Sequence, residues 1–189
     1  MTHDILKMIY YSYFHLIMNC GLIFWGSSSY SNINLEGGKK KKKKIIRIIV
    51  GAGIRDSCRE LFKILNILPL QSQYLLLLVL FVVNNENKLK INSQIHSINT
   101  RNNCNLFQPL SCLPTYQKGP YYLGIKVFHG LPSCVRDASH NIKIFKSSLN
   151  RFLHQHAFCT LDEYFNYNVN LANSWYIYIF RFHTLLLVI

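Results

Sequence analysis

The chain has 189 residues and a formal net charge of +13, from 21 Lys and Arg against 8 Asp and Glu; 50% of it is hydrophobic and 14% aromatic. That length holds one domain, and the aromatic content excludes a wholly disordered chain. Only 15% of residues are charged, against about 25% in an ordinary soluble domain.

Residues 1–26 are apolar and aromatic and fit helix or strand. Residues 27–38 are rich in Ser, Asn and Gly and read as a loop. Residues 39–50 form a basic-apolar segment, with Ile45, Ile46, Ile48 and Ile49 around Arg47, broken by Gly51-Ala52-Gly53. Ser57-Cys58-Arg59-Glu60 has the S-x-x-E form of a capping box, in which Ser57 and Glu60 each satisfy the other's backbone N–H. Leu61, Ile64, Leu65 and Leu68 follow at helical spacing, and Pro69 ends this helix and opens the next. The second helix, over 70–83, runs to Asn84-Asn85-Glu86-Asn87, so the two form an αα unit. Residues 88–119 read as an irregular connection with one short strand at 91–98. Residues 121–129 form a short helix or strand, and residues 139–158 an amphipathic helix with Ile142, Phe145, Leu149, Phe152, Leu153 and His156 on its inner side. The expected fold is mainly α, a small irregular helical assembly. It divides into an apolar segment (1–26), a loop with the Lys run (27–44), a helical unit (45–85), a connection (86–120), a C-terminal helical segment (121–166) and an apolar tail (167–189).

The charge is concentrated. Residues 39–63 carry ten cations against Asp56 and Glu60, a net +8. Such a block suits a polyanion, because neutralising phosphates releases their counterions. It also reads as a solvated loop or, for Lys39–Lys44, as a translated run of A. Asn, Lys, Ile, Tyr and Phe, all with codons rich in A and T, make up 77 of the 189 residues, so base content shapes part of this composition.

No two of the six cysteines stand within five residues of each other, so the close pair of a zinc ribbon is missing. With no Asn-x-Ser/Thr acceptor and no cleavable signal evident, free thiols in the nucleus or cytoplasm are the expectation. None of the three apolar stretches makes a clean span of a bilayer core of about 30 Å. Residues 5–25 contain Lys7, His15 and Asn19, residues 74–83 are too short, and residues 175–189 contain Arg181 and His183. His154 and His156, two residues apart, point about 200° from one another on a regular helix and cannot chelate one ion. Gly51-Ala52-Gly53 lacks the Gly-Lys-Ser/Thr of a phosphate loop. Asp162-Glu163 after Thr160 reads as the start of a last helical turn. No small-molecule substrate is evident.

A string of short motifs carries a resemblance. Gly21 to Gly26 gives a Gly-x-x-x-Trp-Gly pattern, followed by Tyr30-Ser31-Asn32, Lys43-Lys44-Ile45-Ile46-Arg47 and Arg55-Asp56-Ser57-Cys58-Arg59-Glu60-Leu61-Phe62. Then come Ile67-Leu68-Pro69-Leu70-Gln71-Ser72-Gln73-Tyr74, Ile95-His96-Ser97-Ile98, Tyr121-Tyr122-Leu123-Gly124-Ile125-Lys126, Leu131-Pro132-Ser133, Ile142-Lys143-Ile144-Phe145-Lys146 and Phe158-Cys159-Thr160-Leu161-Asp162-Glu163-Tyr164-Phe165. In this order and spacing they resemble the thumb and post-palm region of jockey-like non-LTR retrotransposon reverse transcriptases, over about residues 12–166. The resemblance implies a thumb-like αα unit, incomplete as a domain without its palm, and a basic surface against a template–primer duplex. The parent enzymes hold Mg²⁺ on palm carboxylates, two of them adjacent, because two metals must flank the reacting phosphate. Here Asp4, Asp56, Asp137 and Asp162 are scattered and no Asp-Asp pair exists, so neither the polymerase step nor the metal carries over. The chain also departs from the family at Gly37-Gly38, at the long Lys run and at Gly53.

The expected function is therefore that of a reverse-transcriptase remnant, not an enzyme by itself, that binds RNA or DNA backbone without reading sequence. Its candidate contacts are Lys43, Lys44, Arg47, Arg55 and Arg59 at one end and Lys143, Lys146 and Arg151 on the late helix. The alternatives are a small basic membrane-associated protein, with residues 5–25 as anchor and Lys39–Lys44 at an anionic leaflet, or a translated open frame without function.

Overall fold

A computed structural model describes residues 3–26, 31–97 and 100–167. All regular structure among them is helical. Helix α1 (His3–Ile9) runs through a π-helical segment, Tyr10–His15, into α2 (Leu16–Trp25). Then come α3 (Ser31–Val50), α4 (Cys58–Leu65), α5 (Leu70–Asn84) and two short helices, α6 (Asn92–Ile95) and α7 (Pro114–Gln117). The chain continues through α8 (Pro120–His129), α9 (Ser133–Arg136), α10 (Ile142–His156) and a last helix over residues 161–167.

Helix α5 is the axis of the fold. From Tyr74 to Val83 its sequence is apolar all round, the pattern of a buried helix, and α2, α3, α8 and α10 all pack on it. Tyr74, Leu75, Leu78 and Val79 of α5 meet Val127 of α8 and Phe145, Leu149 and Leu153 of α10 in the main core. Gly124 lets α8 come close: a Cβ there would stand 2.7 Å from Cγ2 of Val82. A second core joins Tyr10, Ile46, Ile49, Phe62 and Leu65 between the π-helical segment, α3 and α4. Tyr164, in the last helix, closes the main core and donates its hydroxyl to the Val127 carbonyl at 2.8 Å.

The expected αα unit and late amphipathic helix are present as α4–α5 and α10, with corrections of detail. Helix α4 ends at Leu65 on Asn66, whose φ is +58°, four residues before the expected stop at Pro69. Its buried stripe is Cys58, Phe62 and Leu65, and Ile64 is exposed. Ser57 occupies the cap position without forming a side-chain cap, and Glu60 lies instead 3.3 Å from Nζ of Lys63. Helix α10 starts later than residue 139 because Asn141 caps it, its Oδ1 accepting from the N–H groups of Lys143 and Ile144. Ile142 is exposed. Residues 120–129 resolve to helix. The strand expected at 91–98 is a single antiparallel bridge, Ile91 to Leu106, followed by α6.

The largest correction concerns residues 27–38. Residues 27–30 lie outside the described set, but from Ser31 the chain is helical through Gly37-Gly38 and the whole Lys run to Val50. Lysine is a good helix former, and packing of one face outweighs a cost of about 1 kcal/mol for each interior Gly. Gly51, at φ +72°, ends the helix where an L side chain would be strained. The apolar tail expected over 167–189 falls, beyond Tyr167, outside the described residues.

Candidate nucleic-acid interface

A run of six identical residues on a helix cannot keep one environment, since each step turns 100°. Helix α3 lies with Gly38, Lys42, Ile46 and Ile49 toward the interior. Lys40, Lys43, Lys44 and Arg47 then share one outward stripe about 100° wide and about 10 Å long. Lys40, Lys43 and Lys44 are exposed and Arg47 is half-buried. Lys41 is exposed on the flank that carries Ile48.

The candidate contacts do not all share this stripe. Nη2 of Arg47 donates to the Asp56 carbonyl at 2.9 Å, while Oδ2 of Asp56 accepts from the Gly53 N–H at 2.7 Å. Arg47 thereby ties the loop after Gly51 to α3, and its Nε is buried without a partner. Arg55 stands exposed in that loop. Arg59 is diverted: its Nη2 lies 2.5 Å from Oε1 of Glu163. Hydrogen bonding to Glu163 raises the guanidinium further above its ordinary value. Burial pushes the Glu163 carboxyl up, but the Cys159 N–H and Arg59 together leave it below its usual value. A second N-terminal device holds Glu163, whose N–H donates to Oγ1 of Thr160 at 3.1 Å while its Oε2 accepts from the Cys159 N–H at 2.8 Å. On α10, Lys143, Lys146 and Arg151 are exposed. Arg151 stands about 140° round the helix from Lys146, on the other flank.

One functional group escaped the sequence reading. Lys42 is only 1% exposed. Its Nζ donates to Oε1 of Gln73 at 2.5 Å, Nε2 of Gln73 donates to Oδ1 of Asn19, and the Tyr10 ring lies 5.8 Å away. Burial lowers the ammonium from 10.5 to about 7. Burial and the nearby Lys42 lower His15, and burial raises the Tyr10 phenol. The spacing Gly38, Lys42, Ile46, Ile49 was visible in the sequence as a helical stripe, but reading residues 27–38 as a loop hid its phase.

His154 faces a cleft beside α5, whereas the His156 ring stacks on Phe158 at 5.4 Å, so the two do point apart. Among the described residues no group of three or more His, Cys, Asp or Glu is placed to hold a metal ion. The carboxylates Asp56 and Asp162 are both exposed. No single described helix is long and apolar enough to cross a membrane; the bent α4–α5 pair reaches that length and composition, with α5 buried among its neighbours. Searches of protein-family models, curated proteins and solved structures find nothing that matches this chain.

Proposed function

We propose that the chain is a remnant of the post-palm region of a jockey-like non-LTR reverse transcriptase, with no polymerase step of its own, and that it binds the backbone of duplex nucleic acid without reading sequence. The observation that carries the binding reading is the α3 stripe of Lys40, Lys43, Lys44 and Arg47. Its cations repeat every three or four residues on one rigid element, a spacing suited to successive phosphates, and contacts of this kind fix position without specifying bases. Glu36 is the one acid on α3. Arg59, held by Glu163, contributes less than its charge implies, and Lys143 and Lys146 supply a separate, weaker contact. The test is a binding isotherm on a random-sequence duplex and an RNA–DNA hybrid at low salt. Replacing Lys40, Lys43 and Lys44 by Gln lowers affinity for all sequences alike, and an unchanged isotherm with intact helicity refutes the reading.

One observation favours a second reading. The outer face of α1–α2 is apolar: Met8 is 68%, Tyr13 70%, Leu16 57% and Ile17 67% exposed. Exposed apolar surface of this extent marks an interaction site. Together with the α3 lysines it would suit the surface of an anionic bilayer, as basic-apolar helices do. In that case the triple Gln variant is released from vesicles rich in phosphatidylserine and keeps its affinity for duplex.

A further inference from the structure

Between the π-helical segment, the corner after α4, the outer side of α5 and α10 lies a cleft of about 320 Å³. This is the lower end of ordinary small-molecule pockets, which run from about 300 to 1,000 Å³. Its position relative to the π segment is informative. A π-helical turn inserts an extra residue into the α-helical register and is found mostly at functional sites. Here it delivers two rings to the cleft, Tyr11 and His15, packed edge to face with centroids 5.2 Å apart. Nδ1 of His15 is buried and has no hydrogen-bond partner. Burial and Lys42 both disfavour its protonation, so it presents a neutral imidazole ring to the cleft.

The remaining walls narrow the ligand class. Leu76, Leu77 and Leu80 make an apolar floor. From α10 the cleft is lined by His154, whose protonation burial also disfavours, and Lys146. Among the described residues no carboxylate lines the cleft and one cation does, the exposed Lys146, which can attract an anion. An apolar floor and an aromatic wall suit a flat ring, the amides of Asn66 and Asn150 at the cleft suit a ring that carries donors and acceptors, and one cation suits one phosphate.

We propose that this cleft binds a mononucleotide, its base between the α5 leucines and the Tyr11–His15 pair and its phosphate at Lys146. The site is distinct from the α3 stripe, which contributes no residue to it. The ligand is either a free nucleotide or the phosphorylated end of a strand, since both present the same base and phosphate.

The test uses the whole chain and titration calorimetry with adenosine 5′-monophosphate, adenosine and inorganic phosphate. The monophosphate binds at one site, about tenfold more tightly than either half alone, as expected for one charge-assisted contact added to base burial. Lys146→Gln, an exposed change that leaves the fold intact, removes that advantage and leaves adenosine unaffected. His15→Phe weakens adenosine and the monophosphate together, and Lys43→Gln changes neither. Displacement of the monophosphate by a 5′-phosphorylated oligonucleotide, but not by its unphosphorylated twin, assigns the site to a strand end; weaker competition assigns it to free nucleotide. No binding, binding matched by inorganic phosphate alone, or binding lost with Lys43→Gln and kept with Lys146→Gln overturns the proposal; mononucleotide binding measured on the unmodified chain is read separately from duplex binding by the α3 stripe.

Discussion

Replacing Lys42 by Met keeps most of the side chain's length and removes its charge. Folded Lys42 releases its proton at about 7, whereas the unfolded chain holds it to 10.5. Between those values the unfolded state binds more protons, so stability rises with pH at about 1.4 kcal/mol per pH unit. Across the whole window the gain amounts to about 5 kcal/mol. Below pH 7 the ammonium is charged in both states and the full cost of burying it is present. At pH 6 the Met variant is therefore more stable than the parent by about 4 kcal/mol, after about 1 kcal/mol is deducted for the Gln73 carbonyl left without its donor. In a chain of this length that raises Tm by about 10 °C. Above pH 10 the order reverses slightly, because only the lost hydrogen bond remains. Urea denaturation of both proteins at pH 6, 8 and 10 measures this. A Met variant less stable than the parent at pH 6, or two curves with the same pH dependence, would refute the placement of Lys42 in the interior.

Two further expectations concern stability. The Arg59–Glu163 pair is partly exposed, so a double-mutant cycle with Arg59→Ala and Glu163→Ala gives a coupling below about 1 kcal/mol that shrinks with salt. Because the Glu163 carboxyl sits below its ordinary value, the coupling is fully present above the ordinary carboxylate range and is lost as the pH falls below that range through the depressed folded value. Gly124→Ala places a methyl 2.7 Å from Val82 in the α5–α8 contact and costs about 1–3 kcal/mol, the range for overpacking, read as a lower urea midpoint at an unchanged m-value.

The parts of the fold legible in the sequence were those whose hydrophobic period and local composition agree. Helices α4 and α10 announce themselves by spacing, and α5 by Pro69 at its start and the polar run from Asn84 at its end. Helix α3 was hidden because its first turns, Ser31-Asn32-Ile33-Asn34 and then Gly37-Gly38, carry loop chemistry, and tertiary packing of Lys42, Ile46 and Ile49 overrode it. The unformed Ser57 cap has a related cause. Glu60, the partner expected to reach back to the Ser57 N–H, lies instead beside Lys63 one turn on.

For the candidate interface, the exposure of Lys43, Lys44, Arg55, Lys143, Lys146 and Arg151 followed from their charge alone. Which lysine of the run turns inward did not, because a homopolymer has no phase of its own; the isoleucines after it set that phase. The engagement of Arg59 by a residue 104 positions away depends on the tertiary fold. So does the cleft beside α5, whose polar residues come from the π-helical segment and α2, the corner after α4, α5 and α10, joined only when these pack.

The salt dependence of duplex binding tests the central claim most directly. For the whole chain, log K against log salt on random-sequence B-DNA falls with a slope of about −0.9 per phosphate neutralised. With Lys40, Lys43 and Lys44 replaced by Gln and helicity unchanged by circular dichroism, that slope becomes shallower by up to about 3 units. The same three replacements with the slope unchanged would contradict the assignment of α3 as a nucleic-acid-binding surface.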